Sequence, residues 1–461
     1  MAPGDRVAFL GLNHPETIAL LFACARVGAM LAPLNWRLAP PEHRETLADC
    51  APKLLVAEPA FATGIDGVKQ GLPAMRTIAL GNVPGWETYD AFLARDERTA
   101  APRAGRDDHP VLLCYTSGST GRPKGVVLTQ RALFYNAVNS THMHAFTSED
   151  HVLTTLPLFH VGGLNILTLP ALHAGATVTL HAKFDPEATL DAIEREAITL
   201  AVLVPAQIDA LGTLPRWKDA RLASLRMITT GSQIVPQRCF ETVHARGVPL
   251  IEVYGSTETA PIATYVPAAE ARRKAGSAGL PAMHCEIRVA DESDTDVAPG
   301  ASGEILVRGP NVMSGYWRNP EATAEALRGG WFHTGDIGHF DAEGWLVVDG
   351  RSKEMIISGG ENIYPAEIEN VLAECDAIAE VAVVGRPDDR WGEAVIAVVV
   401  PKAGKSVTER ELSAVLEGRV ARYKHPRAIV TVSQLPRTAL GKVQKSEVRE
   451  IAIAAAKERV A

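Results

Sequence analysis

Apolar runs and helical patterns alternate along the first sixty positions. "RVAFLG" (6–11) reads as a buried strand, and "PETIALLFACARVG" (15–28) as a helix with Pro15 near its start and Gly28 at its end. "MLAPLN" (30–35), "PPEHRETLADC" (40–50) and "KLLVAE" (53–58) continue with strand, helix, strand. This rhythm predicts a parallel or mixed sheet covered by helices. It returns between 151 and 255, where "HVLTTLPL" (151–158), "ATVTLH" (176–181), "LAVLVP" (200–205), "RMITTG" (226–231) and "PLIEVYG" (249–255) read as strands between helical stretches.

The pattern changes after residue 275. "CEIRVADESDTDVAPGASGEILVRG" (285–309) reads as an antiparallel hairpin with an acidic loop. "PAEIENVLAEC" (365–375) predicts a helix with Ile368, Val371 and Leu372 on one face. "IAEVAVVG" (378–385) and "EAVIAVVV" (393–400) predict strands, and "SVTERELSAVLEGRVARY" (406–423) predicts a helix opened by a Thr408–Glu411 capping box. "RAIVTVS" (427–433) is the last expected strand. The expected fold is α/β: a large multi-sheet N-terminal domain of alternating strands and helices, followed by a small α+β C-terminal domain. The boundary is expected near 349–354, where Gly350 and the charged Arg351-Ser352-Lys353 interrupt two apolar strands.

Composition narrows the function. The formal net charge of −8, with no dense Lys/Arg tract, gives no electrostatic support to a nucleic-acid or membrane-surface role. The six cysteines (Cys24, Cys50, Cys114, Cys239, Cys285, Cys375) have no CxxC spacing. They read as buried free thiols in a reducing cytoplasm, not as a zinc site or a disulfide framework. Asp5 and Arg6 stand where a signal peptide would need an apolar core. The most apolar stretches carry Arg26, or Pro205 and Asp209, so no transmembrane segment is expected.

The chemistry-bearing stretch is "YTSGSTGRPKGV" (115–126). It is not a Walker A loop, because the spacing from Gly118 to a Gly-Lys pair is wrong. It still offers what a polyphosphate needs. Thr116, Ser117, Ser119 and Thr120 bring hydroxyls, Gly118 and Gly121 expose backbone N–H groups, and Lys124 brings a cation.

This string resembles the phosphate-loop signature of the adenylate-forming superfamily, which includes acyl-CoA synthetases, luciferases and adenylation domains. Five further segments in the expected order carry the resemblance over nearly the whole chain. They are "LPLFHVGGL" (156–164), "VYGSTET" (253–259), "WFHTGD" (331–336), "GRSKEMIISGGENIYPAEIE" (350–369) and "PRTALGKVQK" (436–445). "RKAGSAGLP" and "DDRWGEAV" look most like bacterial fatty-acyl and aryl-acid CoA ligases, a resemblance that implies a role in fatty acid metabolism.

The resemblance implies two half-reactions. A carboxylate attacks the α-phosphate of ATP, giving acyl-AMP and pyrophosphate, and the thiol of coenzyme A then expels AMP. Lys442 is the expected adenylation lysine, bridging the carboxylate and the α-phosphate. Glu258, with Thr116, is expected to hold Mg²⁺. Tyr254, Gly255, Ser256 and Thr257 belong to the nucleotide segment, with the Tyr254 face for adenine and the Thr257 hydroxyl for the α-phosphate. Asp336 is expected on the ribose hydroxyls and Arg351 on ribose or phosphate. Gly231, Ser232 and Gln233 replace the Gly-Ala-Ala or Gly-Ala-Pro common in the family, on the nucleotide and acyl side. The acyl pocket is expected from His160, Val161, Gly162, Gly163, Gln207, Gly231 and Thr259, and the coenzyme A channel from Ser358, Gly359, Gly360 and Glu361. Lys353 matches the hinge of a mobile small domain, giving domains at 1–350 and 354–461 with a hinge at 351–353.

The segments expected around the acyl group hold no Arg or Lys, so a second substrate carboxylate is disfavoured. His160 stands where amino-acid-adenylating relatives carry Asp. A fatty or aromatic monocarboxylic acid remains. Two rivals stay open: delivery of the acyl group to a separate carrier protein, and a non-catalytic nucleotide-binding relative. The expected partners are a small carboxylic acid, ATP and coenzyme A; a homodimer is left open.

Overall fold

A computed structural model describes residues 1–95, 103–116, 123–232, 235, 237–351, 355–363, 365–436 and 443–458. Among them the strands form four sheets. In the first, Arg6–Leu10 pairs in parallel with Met30–Leu34 and Leu54–Ala57. Met30–Leu34 is buried along its whole length, because helices cover both faces of the sheet. Such a strand reads as a continuous apolar run, the pattern that identified it. Next in order lie Pro110–Thr116 and Lys124–Thr129, an antiparallel hairpin whose mouth pairs Thr116 with Lys124.

The second sheet contains His151–Thr154, Leu200–Val202, Met227–Gly231 and Leu250–Tyr254 in parallel. The strand expected over 151–158 stops at Thr154. Pro157 has no N–H for a ladder, and the chain turns there into Val161–Gly163. The third sheet confirms the expected hairpin, Glu286–Ala290 against Gly303–Arg308, and adds Phe332–Phe340 and Leu346–Arg351.

The third sheet ends at Arg351, and the fourth begins at Ile356–Ser358. The fourth sheet buries both faces. On Gly392–Pro401, Val395, Ala397 and Val399 join one cluster with Ile368, Leu372 and Leu412. Ala394, Ile396 and Val398 join another with Val448 and Ala452. This is the period of two expected of a strand, hidden in the sequence because both sides are apolar. The helix expected over 406–423 ends at Leu416. Gly418 takes φ +72°, which breaks the helical path, and a separate turn follows at Arg422–Lys424. Five of the six cysteines are buried, and Cys375 is half-buried. No helix among the described residues is long and apolar enough to cross a membrane.

Candidate active site

The hairpin mouth brings Thr116 and Lys124 to a cleft of about 1980 Å³. Thr116 Oγ1 donates to the Lys124 carbonyl at 3.4 Å. Ser117, Gly118, Ser119, Thr120 and Gly121 lie outside the described residues. Lys124 Nζ stands 5.1 Å from the centre of the Tyr316 ring, a cation–π distance. The Tyr316 hydroxyl donates to Glu258 Oε1 at 2.9 Å. Glu258 sits in a short turn, Thr257–Thr259, reached from Leu250–Tyr254 through Gly255. A Cβ at Gly255 would lie 1.8 Å from the Pro261 carbonyl oxygen, so only glycine lets the strand turn there.

On the same strand the Tyr254 hydroxyl donates to Asp336 Oδ2 at 2.9 Å. Asp336 is buried, and its strand runs antiparallel to Arg351. Two carboxylates at this end, Glu258 and Asp336, are therefore each oriented by a tyrosine hydroxyl. Ser256, Thr257 and Ser232 also line the cleft. Gly231 abuts Val253, and a Cβ there would lie 2.4 Å from its carbonyl oxygen. Thr259 is buried and spends its hydroxyl on Ser256 within its own turn, away from the cleft. Gln233, Lys353 and Lys442 lie outside the described residues.

At the other end, Val161, Gly162 and Gly163 form the wall with Ile166, facing Val204, Ala206 and Gln207. Gln207 Oε1 accepts the Val204 N–H at 3.3 Å, which fixes its helix start. The hairpin Ile356–Ser358 to Glu361–Ile363 reaches this wall. Its two-residue turn, Gly359 (φ +61°) and Gly360 (φ +82°), has the primed geometry that demands glycine. Gly360 abuts Val204, and Glu361 Oε2 meets His160 Nε2 at 3.1 Å. Arg37 pairs with the other Glu361 oxygen. Desolvation in the cleft, then the Arg37 cation, push the His160 imidazole down to about 3. It is neutral at physiological pH and donates Nε2–H to Glu361. The residues expected for coenzyme A and for the acyl group thus meet through His160 and Glu361.

Further contacts tie the small unit down. Lys424 Nζ lies between Glu42, at 2.9 Å, and Glu367, at 2.5 Å, and is nearly inaccessible. Asn35 donates to the Tyr423 hydroxyl at 3.4 Å, and Arg238, held by Asp209, reaches the Asp389 carbonyl. Sequence reasoning missed Arg37, Tyr316 and Lys424. No motif marks them, since each acquires meaning only from a partner far along the chain. It also missed Glu252, a buried carboxyl beside the cleft that burial pushes up to about 8, against the Gly276 N–H it accepts at 2.9 Å.

Among the described residues no cluster of three or more His, Cys, Asp or Glu could hold a metal ion by itself. The Glu258 carboxylate and the Thr116 hydroxyl are hard oxygen donors that line the same cleft. That donor set suits Mg²⁺, which commonly takes one or two carboxylates and completes its shell with phosphate and water.

The AMP-binding enzyme family matches residues 1–317, and the AMP-binding enzyme C-terminal domain matches residues 367–442. The chain is 59% identical over 448 residues to an indoleacetate–CoA ligase of Aromatoleum aromaticum, covering 96% of this chain and 88% of that protein. It resembles the amide bond synthetase McbA from Marinactinospora thermotolerans with a TM-score of 0.89 at 31% identity, over 98% of this chain and 90% of that one. A double mutant of the o-succinylbenzoate CoA synthetase of Bacillus subtilis, bound to its product analogue OSB-NCoA, gives a TM-score of 0.85 at 32% identity, over 98% and 89% of the two chains.

Proposed function

Since the chain belongs to the AMP-binding enzyme family and is an acyl-CoA synthetase, an AMP-forming acid–thiol ligase, we propose that this one cleft runs both half-reactions on an aromatic monocarboxylic acid of the arylacetate type. In the first, a substrate carboxylate oxygen attacks the α-phosphorus of ATP and the bond to pyrophosphate breaks. Lys124 and the backbone of 117–121 hold the outer phosphates, the Tyr254 ring carries the adenine, and Asp336 accepts from the ribose hydroxyls. Glu258 and Thr116 would hold Mg²⁺, which screens the triphosphate charge. Lys442 offsets the repulsion between the two reacting anions. In the second, the coenzyme A sulfur attacks the acyl carbon, the bond to AMP breaks, and the thiol proton leaves to solvent.

The observation that carries this reading is convergence. The Tyr254–Asp336 pair, the Glu258–Tyr316–Lys124 group and the Glu361–His160 contact all open on the same cleft. The small domain, 354–461, rotates about 351–353 between the halves, taking Lys442 away as the Gly359-Gly360 turn arrives. An aromatic acid is supported by the apolar wall and by the state of two arginines beside it. Arg37 is taken by Glu361 and Arg238 by Asp209, so neither offers charge to a second carboxylate. The closely similar indoleacetate–CoA ligase points the same way. Buried free thiols and the coenzyme A substrate fit the cytoplasm.

The test is pyrophosphate release with Mg²⁺ and ATP over a panel of aryl, arylacetic and fatty acids, with and without coenzyme A. Arylacetates are expected to give AMP and, with coenzyme A, the thioester. A profile led by long-chain fatty acids would overturn the substrate class. Acyl-AMP that coenzyme A never discharges would overturn the acceptor in favour of a carrier protein.

A further inference from the structure

The acyl wall contains a backbone irregularity with its own supports. After the turn Val161–Gly163 the chain forms a π-helical turn, Leu164–Thr168, before regular helix resumes at Leu169–Ala174. A π turn winds wider than an α turn and leaves carbonyls without their usual N–H partners. Three carbonyls in and just before this turn accept side-chain donors. Thr168 Oγ1 donates to the Gly163 carbonyl at 2.6 Å. Asn136 Nδ2 donates to the Asn165 carbonyl at 2.7 Å, and Ser140 Oγ to the Ile166 carbonyl at 2.6 Å.

Asn136 and Ser140 stand four residues apart on one face of the helix Gln130–His144, and both are buried. Each is itself oriented. Asn136 Oδ1 accepts the Ile262 N–H at 3.1 Å, next to the cleft residue Pro261. His144 Nδ1 lies 2.9 Å from the Ser140 carbonyl, which can only accept, so Nδ1 carries the proton. The same Nδ1 is 3.0 Å from Ser140 Oγ, leaving the hydroxyl hydrogen for Ile166. His144 Nε2 then accepts from the Thr229 hydroxyl at 2.8 Å. A one-way chain of donors runs from the strand Met227–Gly231 to the π turn.

We infer that Asn136 and Ser140 are positioning residues for acyl selection. By satisfying the Asn165 and Ile166 carbonyls they hold the π turn, and the π turn sets where Gly162 and Ile166 stand on the wall. Without these donors the segment reverts toward α geometry, and Ile166 rotates about the helix axis relative to Val204. The inference rests on the proposed reading of this wall as the acyl pocket.

The test compares Ser140→Ala and Asn136→Ala with Ser140→Thr, which keeps the hydroxyl, and with Gly162→Leu, which fills the pocket directly. The two alanine variants should raise KM for an arylacetate by about tenfold and shift its kcat/KM ratio against butyrate by a similar factor, with KM for ATP within about twofold. Ser140→Thr should restore parental values. If Ser140→Ala does not fold, Asn136→Ala carries the same expectation alone. Equal rises in KM for acid and ATP, or an unchanged acid ratio, would overturn the inference if Gly162→Leu still alters the acid profile. An unchanged profile in Gly162→Leu would instead overturn the reading of the pocket.

Discussion

The two ends of the cleft are built on different principles. At the proposed nucleotide end, aromatic side chains tie the charged groups together: Tyr254 to Asp336, Tyr316 to Glu258, Lys124 over Tyr316. All of these groups belong to the large unit. At the proposed acyl end the wall is backbone, glycine and aliphatic side chain, and a charged cluster there joins Glu361 of the small unit to His160 and Arg37. On the proposed reading, the first end meets charge that any ATP carries, and its large-domain groups are joined by one small-domain cation, Lys442. In the proposed cycle the second fits one acid and changes occupants between half-reactions, and its polarity arrives with the small domain.

The sharpest way to break this contrast is Lys442→Ala. Removing the cation proposed to offset the two reacting anions should slow pyrophosphate release by about 10²–10³-fold. Thioester formation from supplied acyl-AMP should change far less. Equal damage to both steps would erase the division between the ends.

Glu361→Gln is expected to do the reverse with a smaller effect. It keeps the shape but weakens the charge-assisted bonds to Arg37 and His160, interactions typically worth ~1.5–3 kcal/mol. Thioester formation should fall about tenfold, with acyl-AMP formation within about twofold. A measured loss confined to acyl-AMP formation would place Glu361 at the wrong end.

Neighbouring glycines sharpen the comparison on the large-domain side. A Cβ at Gly162 meets only Leu156 Cδ1, at 3.9 Å, whereas one at Gly163 would lie 2.3 Å from the Pro157 carbonyl oxygen. Gly162→Ala should fold normally and trim acceptance of the bulkiest acids severalfold. Gly163→Ala should lose roughly 1–3 kcal/mol of stability, the usual range for overpacking. Thermal melts and acid profiles of the pair check this; identical behaviour would mean that the wall yields.

These differences bear on what the chain discloses before it is folded. The stretch between Thr116 and Lys124 was legible as a candidate polyphosphate loop from its hydroxyl and glycine residues, whereas the antiparallel strands on either side of it were not read. The buried small-domain strands were legible as unbroken aliphatic stretches. Arg37 was not, since its meaning comes from Glu361, 324 positions away. The π turn was also hidden, because its donors sit on a helix 29 and 26 positions earlier, and polar side chains on a helix ordinarily face solvent. The end of the helix at Leu416 was missed because the apolar spacing continues past Gly418, where the backbone does not.

The smallest expected effect separates two buried groups that titrate in opposite senses. Burial pushes the His144 imidazole from 6.5 down to about 4 and the Glu252 carboxyl from 4.5 up to about 8. For His144 the unfolded chain binds the extra proton between these values. Its contribution to stability is present above 6.5 and is lost as pH falls through about 4. For Glu252 the folded chain holds the extra proton, so its contribution is complete below 4.5 and is lost as pH rises through about 8. Melting temperature should therefore decline toward both acid and alkali. Glu252→Gln, which keeps a neutral polar group in the same space, should flatten the alkaline decline and leave the acid decline in place. A variant whose melting point falls between about pH 6 and about pH 9 as steeply as the parent's would mean that Glu252 is already ionised at neutral pH. The proposed nucleotide end would then carry the negative charge of Glu252 as well, and the balance that sets that end apart from the acyl end would have to be redrawn.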